Sequence, residues 1–167
     1  MADVNYDVII AADTGKTAGV ATLVIPRREL WIGYQEPRLT TLDMLSEWEM
    51  PTTWKVLLVA EKFIITPQTG KLSQQPDALK MNGALEWLCH RRGWDYEEQT
   101  AASAKKIAQD DRLQRLGLYV PTPGGHANDG TRHLILAIER KMPSLLDDET
   151  LIGYTGSITT VKRSKRS

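Results

Sequence analysis

Three acidic residues occupy positions from which they can act together on one substrate. Asp13 and Glu61 each end a short apolar run that predicts a buried strand, and Asp129 lies in the first turn of a predicted helix. If the two strands are neighbours, both carboxylates emerge at one end of the sheet, and the helix start can bring the third beside them. Carboxylates at such short range repel one another strongly unless a cation neutralises them or a proton is shared.

Clustered oxygen ligands of this kind predict a site for Mg²⁺ or Mn²⁺. Both ions bind carboxylate oxygens, keep some of their waters and bind substrate phosphate. Two such ions can activate a water on one side of a phosphodiester and stabilise the leaving oxygen on the other. The three acids therefore predict a metal-dependent phosphodiester hydrolase.

Each acid also has a purely structural interpretation. Asp13 can be a turn residue, and Asp129 can favour the N-terminus of its helix through the helix dipole. Glu61 is harder to explain in this way, because it directly follows the apolar run Val-Leu-Leu-Val-Ala. The prediction of a catalytic site therefore depends on the three acids together.

A second motif, Gly15-Lys16-Thr17, resembles the end of a phosphate-binding loop but does not meet the requirements of one. Such a loop needs a further glycine five residues before Gly15, where this sequence has Ile10. Its lysine must also open a helix whose N-terminus faces the phosphate, whereas Ala18–Ile25 has the pattern of a strand. We therefore do not expect a nucleotide-binding loop here.

The hydrophobic pattern predicts an α/β fold with five strands and five helices. The strands are expected at Tyr6–Ala12, Gly19–Ile25, Glu29–Tyr34, Lys55–Glu61 and Trp94–Gln99. Short connections make the first three strands an antiparallel meander, and the helix before the fourth makes that strand parallel to a neighbour. The helices are expected from Thr40 or Thr41 to Glu49, at Pro76–Arg92, Ser103–Ile107 and Asp110–Leu116, and from the N-cap Asn128 to Met142.

Composition limits the class of protein. The 167 residues carry 21 basic and 21 acidic side chains, and this zero net charge argues against a protein that coats nucleic acid through bulk charge. The single cysteine, Cys89, excludes an intramolecular disulfide and a multi-cysteine zinc site. No apolar run reaches the roughly 18 residues of a membrane span, and the N-terminus lacks a signal-peptide pattern. We expect a cytoplasmic protein that does not associate with membranes.

The order of these motifs resembles that of RuvC-type Holliday-junction resolvases of the ribonuclease H superfamily, and most closely the phage-encoded ones. The segment Asp13-Thr14-Gly15-Lys16-Thr17-Ala18-Gly19 is similar to the opening Asp-Pro-Gly-x-x-x-Gly turn of the family, with Thr14 in place of proline. Glu61 follows an apolar strand and precedes a helix that contains Gly83. The segment His126-Ala-Asn-Asp129-Gly-Thr-Arg132-His133 opens the last helix, with Gly130 in place of the commoner alanine. The resemblance covers roughly residues 6–142.

The resemblance implies a ribonuclease H-like nuclease domain over residues 1–142, with a mixed five-stranded sheet flanked by helices, and a C-terminal extension over residues 143–167. It implies that Asp13 bridges two Mg²⁺ ions, for which Mn²⁺ can substitute, and that Glu61 and Asp129 bind on either side. His126 falls where the family has a second Asp or a His, so it either binds a metal or orients the attacking water. The expected activity is endonucleolytic cleavage of branched DNA, most of all four-way junctions, in the host-cell cytoplasm if the chain is phage-encoded.

A four-way junction has two equivalent strands to cut, so a two-fold homodimer matches the symmetry of this substrate. The helix Pro76–Arg92 resembles the element through which such resolvases dimerise, and Trp87 is a candidate for the dimer face.

Several basic residues are candidates for contacting DNA phosphates. They are Lys16 beside Asp13, Lys105 and Lys106 at the start of a helix, and Lys162, Arg163, Lys165 and Arg166 in the tail. Because four of the 21 basic residues lie in the tail at 161–167, residues 1–160 carry a net charge of −4. The tail is expected to strengthen DNA binding electrostatically.

Two other classes of protein fit part of the sequence. An ATP-handling domain of the actin and sugar-kinase type also carries an Asp-x-Gly turn in its first hairpin, but it normally needs two such domains. A catalytically silent binder of branched DNA would keep the fold, although it would not need the full set of acids. Junction cleavage, ATP hydrolysis and binding without cleavage distinguish the three.

Overall fold

The five predicted strands are all present in the computed structural model, which describes residues 5–65, 75–147, 153–154 and 158–160. The strands are β1 (Val8–Asp13), β2 (Thr17–Val24), β3 (Glu29–Pro37), β4 (Val56–Glu61), β5 (Asp95–Gln99) and a short β6 (Ile158–Thr160). They form one sheet in the order β5-β4-β1-β2-β3-β6. Strands β1, β2 and β3 form the predicted antiparallel meander. Strand β4 is parallel to a neighbour, as predicted, and that neighbour is β1.

The helices agree with the predicted ones except at their N-termini. They are α1 (Arg38–Glu47), α2 (Gln75–Arg92), α3 (Ala101–Ile107), α4 (Asp110–Arg115) and α5 (His126–Lys141). A 3₁₀ turn, Pro143–Leu146, follows α5.

Three predicted helix starts are wrong. Helix α3 begins at Ala101 after the N-cap Thr100, whose hydroxyl accepts a hydrogen bond from the Ser103 N–H, so Lys105 and Lys106 lie in its last turn and not at its start. Helix α1 begins two residues before Thr40, and Thr41 lies inside it, where its hydroxyl bonds to the carbonyl oxygens of Glu36 and Pro37. Helix α5 has Gly125 as its N-cap, with a φ of 73°, and not Asn128. The Asn128 side chain instead accepts a hydrogen bond from the Val120 N–H and donates one to the Val120 carbonyl. The Thr41 and Asn128 side chains therefore bond to backbone groups that precede their helices, and neither caps a helix N-terminus.

Helices cover both faces of the sheet, which explains why β1 and β4 are continuous apolar runs. Because side chains alternate along a strand, Ile9 and Ala11 of β1 pack in the core under α5, whereas Val8, Ile10 and Ala12 face the core under α1 and α2. All six residues of β1 are buried. The sheet therefore forms the middle layer of three and fixes its strand ends relative to the helices on either side.

The segment after α5 contributes to the core between α5 and the sheet. Leu145 and Leu146 pack against it, the Tyr154 side chain is buried in it, and β6 pairs parallel to Leu30–Ile32 of β3. The sequence did not predict β6. The predicted division between residues 1–142 and 143–167 stays a prediction, and the basic tail lies outside the described residues. None of the helices in the described part of the chain is long and apolar enough to span a membrane.

Candidate active site

Asp13 and Glu61 lie side by side at one end of the sheet, as the sequence predicted. Strands β1 and β4 are parallel neighbours whose register pairs Ala12 with Ala60, so the acid that follows each alanine stands at the same level. The Asp13 side chain is buried, and that of Glu61 is a quarter exposed. Because the two strands run in the same direction, their carboxyl ends deliver two carboxylates to one place.

Helix α5 reaches this edge of the sheet through a direct contact between two glycines. A Cβ added at Gly19 of β2 would lie 1.7 Å from the carbonyl oxygen of His126, and one at Gly130 would lie 2.7 Å from the carbonyl oxygen of Gly19. No side chain fits between the two backbones. The first turn of α5 is therefore held directly against β2, beside the end of β1.

The first turn of α5 brings His126 to Asp13. His126 Nδ1 lies 2.7 Å from Asp13 Oδ2, and the imidazole is 39% exposed. The helix start is fixed by Gln35 of β3, which accepts a hydrogen bond from the Ala127 N–H and donates one to the carbonyl of Pro123. Gln35 thus satisfies one of the backbone N–H groups that a helix N-terminus leaves without an intrahelical partner.

Glu61 is held by three separate elements. Its carbonyl oxygen accepts hydrogen bonds from Thr14, in the turn after β1, and from the Asn82 amide of α2. Its carboxylate oxygen Oε2 lies 3.3 Å from Nε2 of His133, a buried residue of α5. The other ring nitrogen of His133, Nδ1, lies 3.2 Å from Oε1 of Gln99.

Asp129 is positioned by basic side chains and not by the other two acids. Its Oδ1 lies 2.5 Å from Nη1 of Arg132 and 3.8 Å from Nζ of Lys105. The guanidinium of Arg132 also bonds to Asp110 of α4 and to the carbonyl of Ala108. Arg132 therefore ties the first turn of α5 to the segment that contains α3 and α4.

Electrostatics join the three acids into one site. Burial raises the pKa of Asp13 to about 6, with the charges of Glu61 and Asp129 adding to the rise and the hydrogen bond from His126 opposing it. The pKa of His126 is raised above its usual value, first by its hydrogen bond to Asp13 and also by the charges of all three acids. Burial would raise the pKa of Glu61, but the hydrogen bond and charge of His133, with contributions from Asp13 and Lys105, lower it.

These residues suit a divalent cation by their chemistry, although their side chains are paired with bases. Among the described residues, no group of three or more His, Cys, Asp or Glu side chains is arranged around a common metal position. Each acid uses a single oxygen for its contact with a base, namely Asp13 Oδ2, Glu61 Oε2 and Asp129 Oδ1. The second oxygen of each carboxylate is outside these pairs, and a buried carboxyl with two like charges nearby is stabilised by a cation.

Three of the predicted DNA-contacting residues lie in the described part of the chain, and all three are exposed. Lys105 is 59% exposed beside Asp129, Lys106 is its exposed neighbour, and Lys16 is exposed in the turn after Asp13. Lys16 is followed by β2 and not by a helix, so the rejected phosphate loop is indeed absent at this position. The four basic residues of the tail, Lys162, Arg163, Lys165 and Arg166, lie outside the described residues.

The structure adds residues to this site that the sequence did not indicate. Arg132, His133 and Gln99 each contact a candidate acid or its partner. A cleft of about 620 Å³ opens beside Asp129, with Lys105, Arg132 and the partly exposed ring of Tyr119 on its walls. Helical spacing is the sequence signal that can find two of these three residues. His133 lies seven positions after His126, and Arg132 lies three positions after Asp129, so each shares a face of α5 with a residue that the sequence did identify.

The sheet order, the three-layer arrangement and the acids at the strand ends define a ribonuclease H-like α/β fold. Two solved structures of RuvC from Thermus thermophilus share it. The structure in complex with a Holliday junction substrate has a TM-score of 0.51 at 15% sequence identity, covering 81% of this chain and 95% of that chain. A second RuvC structure has a TM-score of 0.54 at 14% identity, covering 81% and 96%.

The predicted resemblance to RuvC is therefore confirmed at the level of the fold. No protein-family model matches the sequence, and no curated protein matches it either. At 14–15% identity the likeness establishes the architecture, while the chemistry has to be argued from the side chains of this chain.

Proposed function

We propose that this protein is a divalent-metal-dependent endonuclease that resolves four-way DNA junctions. The observation that carries the proposal is the position of Asp13 and Glu61 at the ends of adjacent parallel strands, under the first turn of α5, in a fold shared with RuvC. One of those RuvC structures holds a Holliday junction substrate, which supports branched DNA as the substrate class.

The acids and His126 divide the work in the proposed reaction. Asp13, with Glu61 on one side and Asp129 on the other, would hold two Mg²⁺ ions through their carboxylate oxygens. When bound, the ions would activate a water and stabilise the leaving oxygen of the phosphodiester. His126 contacts Asp13 through Nδ1, so its ring is placed either to serve as a further ligand or to orient the attacking water.

Basic groups around the acids would hold the DNA backbone. Lys16 and Lys105 stand beside Asp13 and Asp129 respectively, and Lys106 extends the positive surface along α3. Phosphate contacts of this kind position a duplex without reading its sequence. The tail would add the charges of its four basic residues, so the acidic site and the basic rim together explain how a chain with no net charge can engage DNA.

A homodimer would present two active sites to the two equivalent strands of a junction. Helix α2 supports this assembly, because Leu79, Gly83 and Trp87 are exposed at intervals of four residues and so form one stripe along the helix. The Trp87 side chain is 64% exposed. Such an apolar stripe suits a partner helix of the same kind, and we place the working dimer in the cytoplasm.

The proposal is tested by incubating the purified protein with Mg²⁺ and a labelled four-way junction, beside a linear duplex of the same sequence. We expect paired cuts in the junction, little cutting of the duplex, and no cutting by the variant Asp13→Asn, which should still bind the junction. Lys141→Gln is a matched control, since Lys141 pairs with Glu97 at the far end of α5. Junction binding without cleavage would indicate a silent binder, and ATP hydrolysis without cleavage an ATP-handling domain; either result contradicts the proposal.

A further inference from the structure

His133 is a polar side chain enclosed in the protein interior. It is 1% exposed, yet both ring nitrogens have polar partners: Nε2 faces Glu61 Oε2 at 3.3 Å and Nδ1 faces Gln99 Oε1 at 3.2 Å. A buried polar group without partners costs free energy, so these contacts are needed at this position. Contacts at both nitrogens also fix the plane of the ring and leave it no alternative orientation with the same partners.

Gln99 is itself fixed by the sheet. It is the last residue of β5, 2% exposed, and pairs in register with Glu61 across the parallel β4–β5 ladder. The side chain that orients His133 and the carboxylate that His133 contacts therefore come from neighbouring strand ends. The third residue of this group, His133, comes from α5, which the close contact between Gly19 and Gly130 holds against the sheet.

The backbone of Glu61 is independently restrained, which gives His133 a specific task. Thr14 and Asn82 both donate hydrogen bonds to the Glu61 carbonyl oxygen, so the main chain at this strand end is held from two sides. The freedom that remains lies in the side-chain torsions of the glutamate, and ordering a long side chain costs entropy. A hydrogen bond to one carboxylate oxygen reduces that freedom before any ligand arrives.

We propose that His133, held by Gln99, is a positioning residue that orients the Glu61 carboxylate for a divalent cation. The inference deepens the proposed function and rests on it for the nature of the ligand. Residues that hydrogen-bond to a metal-ligating carboxylate fix its geometry, and their loss typically lowers metal affinity about 10- to 100-fold. His133 occupies this position for Glu61.

The test measures Mn²⁺ binding calorimetrically in the full-length protein without DNA, so it does not depend on activity. His133→Phe keeps a ring of similar size but removes both polar contacts, and we expect its Mn²⁺ affinity to fall about 10- to 100-fold. His133→Gln retains an amide that can reach Glu61 and should recover part of the affinity. Thr131→Val is the matched control, because Thr131 is also buried in α5 but bonds only to the Ala127 carbonyl one turn earlier.

A double-mutant cycle separates positioning from general damage to the fold. If His133 acts through Glu61, then His133→Phe should cause no further loss of Mn²⁺ affinity in a Glu61→Gln background. Gln99→Leu gives a second route should His133→Phe fail to fold, because it leaves His133 in place but removes the group that orients it. We expect a loss of Mn²⁺ affinity in Gln99→Leu that is smaller and of the same sign.

The outcomes for the two proposals are distinguishable. Unchanged Mn²⁺ affinity in folded His133→Phe or in Gln99→Leu overturns the positioning role. So does a loss of Mn²⁺ affinity in His133→Phe that is equal with and without the Glu61 carboxylate, or a wild-type protein that binds no Mn²⁺. If the wild-type protein binds Mn²⁺ with an affinity that depends on Glu61 and His133 but cuts no junction, the positioning role is supported and the proposed endonuclease activity fails.

Discussion

His126 and His133 stand two turns apart on one face of α5, and each contacts a different candidate catalytic acid. His126 Nδ1 lies 2.7 Å from Asp13 Oδ2, and His133 Nε2 lies 3.3 Å from Glu61 Oε2. The two acids end adjacent parallel strands, so side chains of a single helix contact both of them. The difference between the two histidines is exposure: His126 is 39% exposed at the mouth of the site, whereas His133 is enclosed behind it. Solvent and substrate can therefore reach the first and not the second.

The two roles open to His126 predict different kinetics. We expect His126→Ala to lower junction cleavage about 100-fold or more, in the range of a lost general acid–base or orienting group. If the ring is a ligand, Mn²⁺ affinity falls together with the rate, and His126→Asp restores both. Orientation of the water predicts a lower rate at unchanged Mn²⁺ affinity. A His126→Ala variant with wild-type cleavage would remove His126 from the site.

The contact between β2 and α5 predicts that Gly19→Ala is severely destabilising. The new Cβ would lie 1.7 Å from the His126 carbonyl oxygen, so the backbone of one element has to move. We expect a loss of about 3 kcal/mol in the free energy of unfolding, measured by urea denaturation, together with loss of cleavage. Gly83→Ala is the control for the unfolding measurement alone, since Gly83 lies in the proposed dimer stripe. Nothing in its own chain lies within 4 Å of the added Cβ, and alanine favours a helix interior by roughly 0.5–1 kcal/mol. Equal stability of the two variants would contradict the contact.

Asp13 predicts an unusual pH dependence of stability in the metal-free protein. Burial raises its pKa from 3.8 to about 6, so the folded state binds this proton more tightly, and the stabilisation it gives is lost as the pH rises through that interval. His126, with a raised pKa, acts in the same direction at higher pH, whereas the lowered pKa of Glu61 affects stability only below the ordinary glutamate value of 4.5. At about pH 7.5 with EDTA, we therefore expect Asp13→Asn to have a Tm a few degrees above that of the wild type.

The same difference should shrink as the pH falls towards about 5, where the Asp13 carboxyl becomes protonated in the folded wild type. Thermal unfolding of both proteins across this range is the measurement. A Tm difference that stays constant with pH would show that Asp13 is not a buried charge in the metal-free protein. Excess Mg²⁺ should raise the Tm of the wild type and leave that of Asp13→Asn unchanged, because only a folded site binds the ion.

The basic tail predicts a specific change in the salt dependence of junction binding. Replacing Lys162, Arg163, Lys165 and Arg166 by Gln keeps the length of the chain and removes four charges. If all four contact phosphates, the slope of log affinity against log salt falls in magnitude by about 3 to 4. Arg112→Gln, which breaks a pair with Glu139 on the α4 side, is a single-charge control. An unchanged slope would make the tail irrelevant to binding.

The exposed stripe on α2 predicts that Trp87→Glu dissociates the homodimer. A buried and unpaired carboxylate at a helix–helix contact costs several kcal/mol, enough to move the equilibrium to monomers at micromolar concentration. Light scattering coupled to size-exclusion chromatography gives the mass of each species. Tyr119→Glu serves as the control for an exposed aromatic residue, since Tyr119 borders the cleft on the opposite face of the sheet. A Trp87→Glu variant that remains dimeric would place the interface elsewhere.

The sequence determined the first five strands, the β1–β3 meander and most of the helices, but neither the full strand order nor β6. Short apolar runs between turn signals predicted buried strands, and the alternation of side chains along them fills the cores on both faces of the sheet. Chain connectivity made β1–β3 a meander and β4 parallel to one of the strands, but only the fold placed β4 beside β1 and so brought Asp13 and Glu61 together. The start of α5 was predicted wrongly because the Asn128 side chain hydrogen-bonds to the backbone of Val120, in the loop before the helix, and does not cap the helix.

The tertiary structure decided how the site is organised. Arg132 and Lys105 contact Asp129, and His133 and Gln99 support Glu61; these pairs span up to 72 residues along the chain. Sequence spacing identifies side chains on a common helix face. The distance between that helix and the sheet, however, is set by the close approach of Gly19 to Gly130. The sequence alone thus named the three acids, because strand ends and helix starts are local properties. Which base contacts each acid depends on packing between elements, and only the folded chain fixes it.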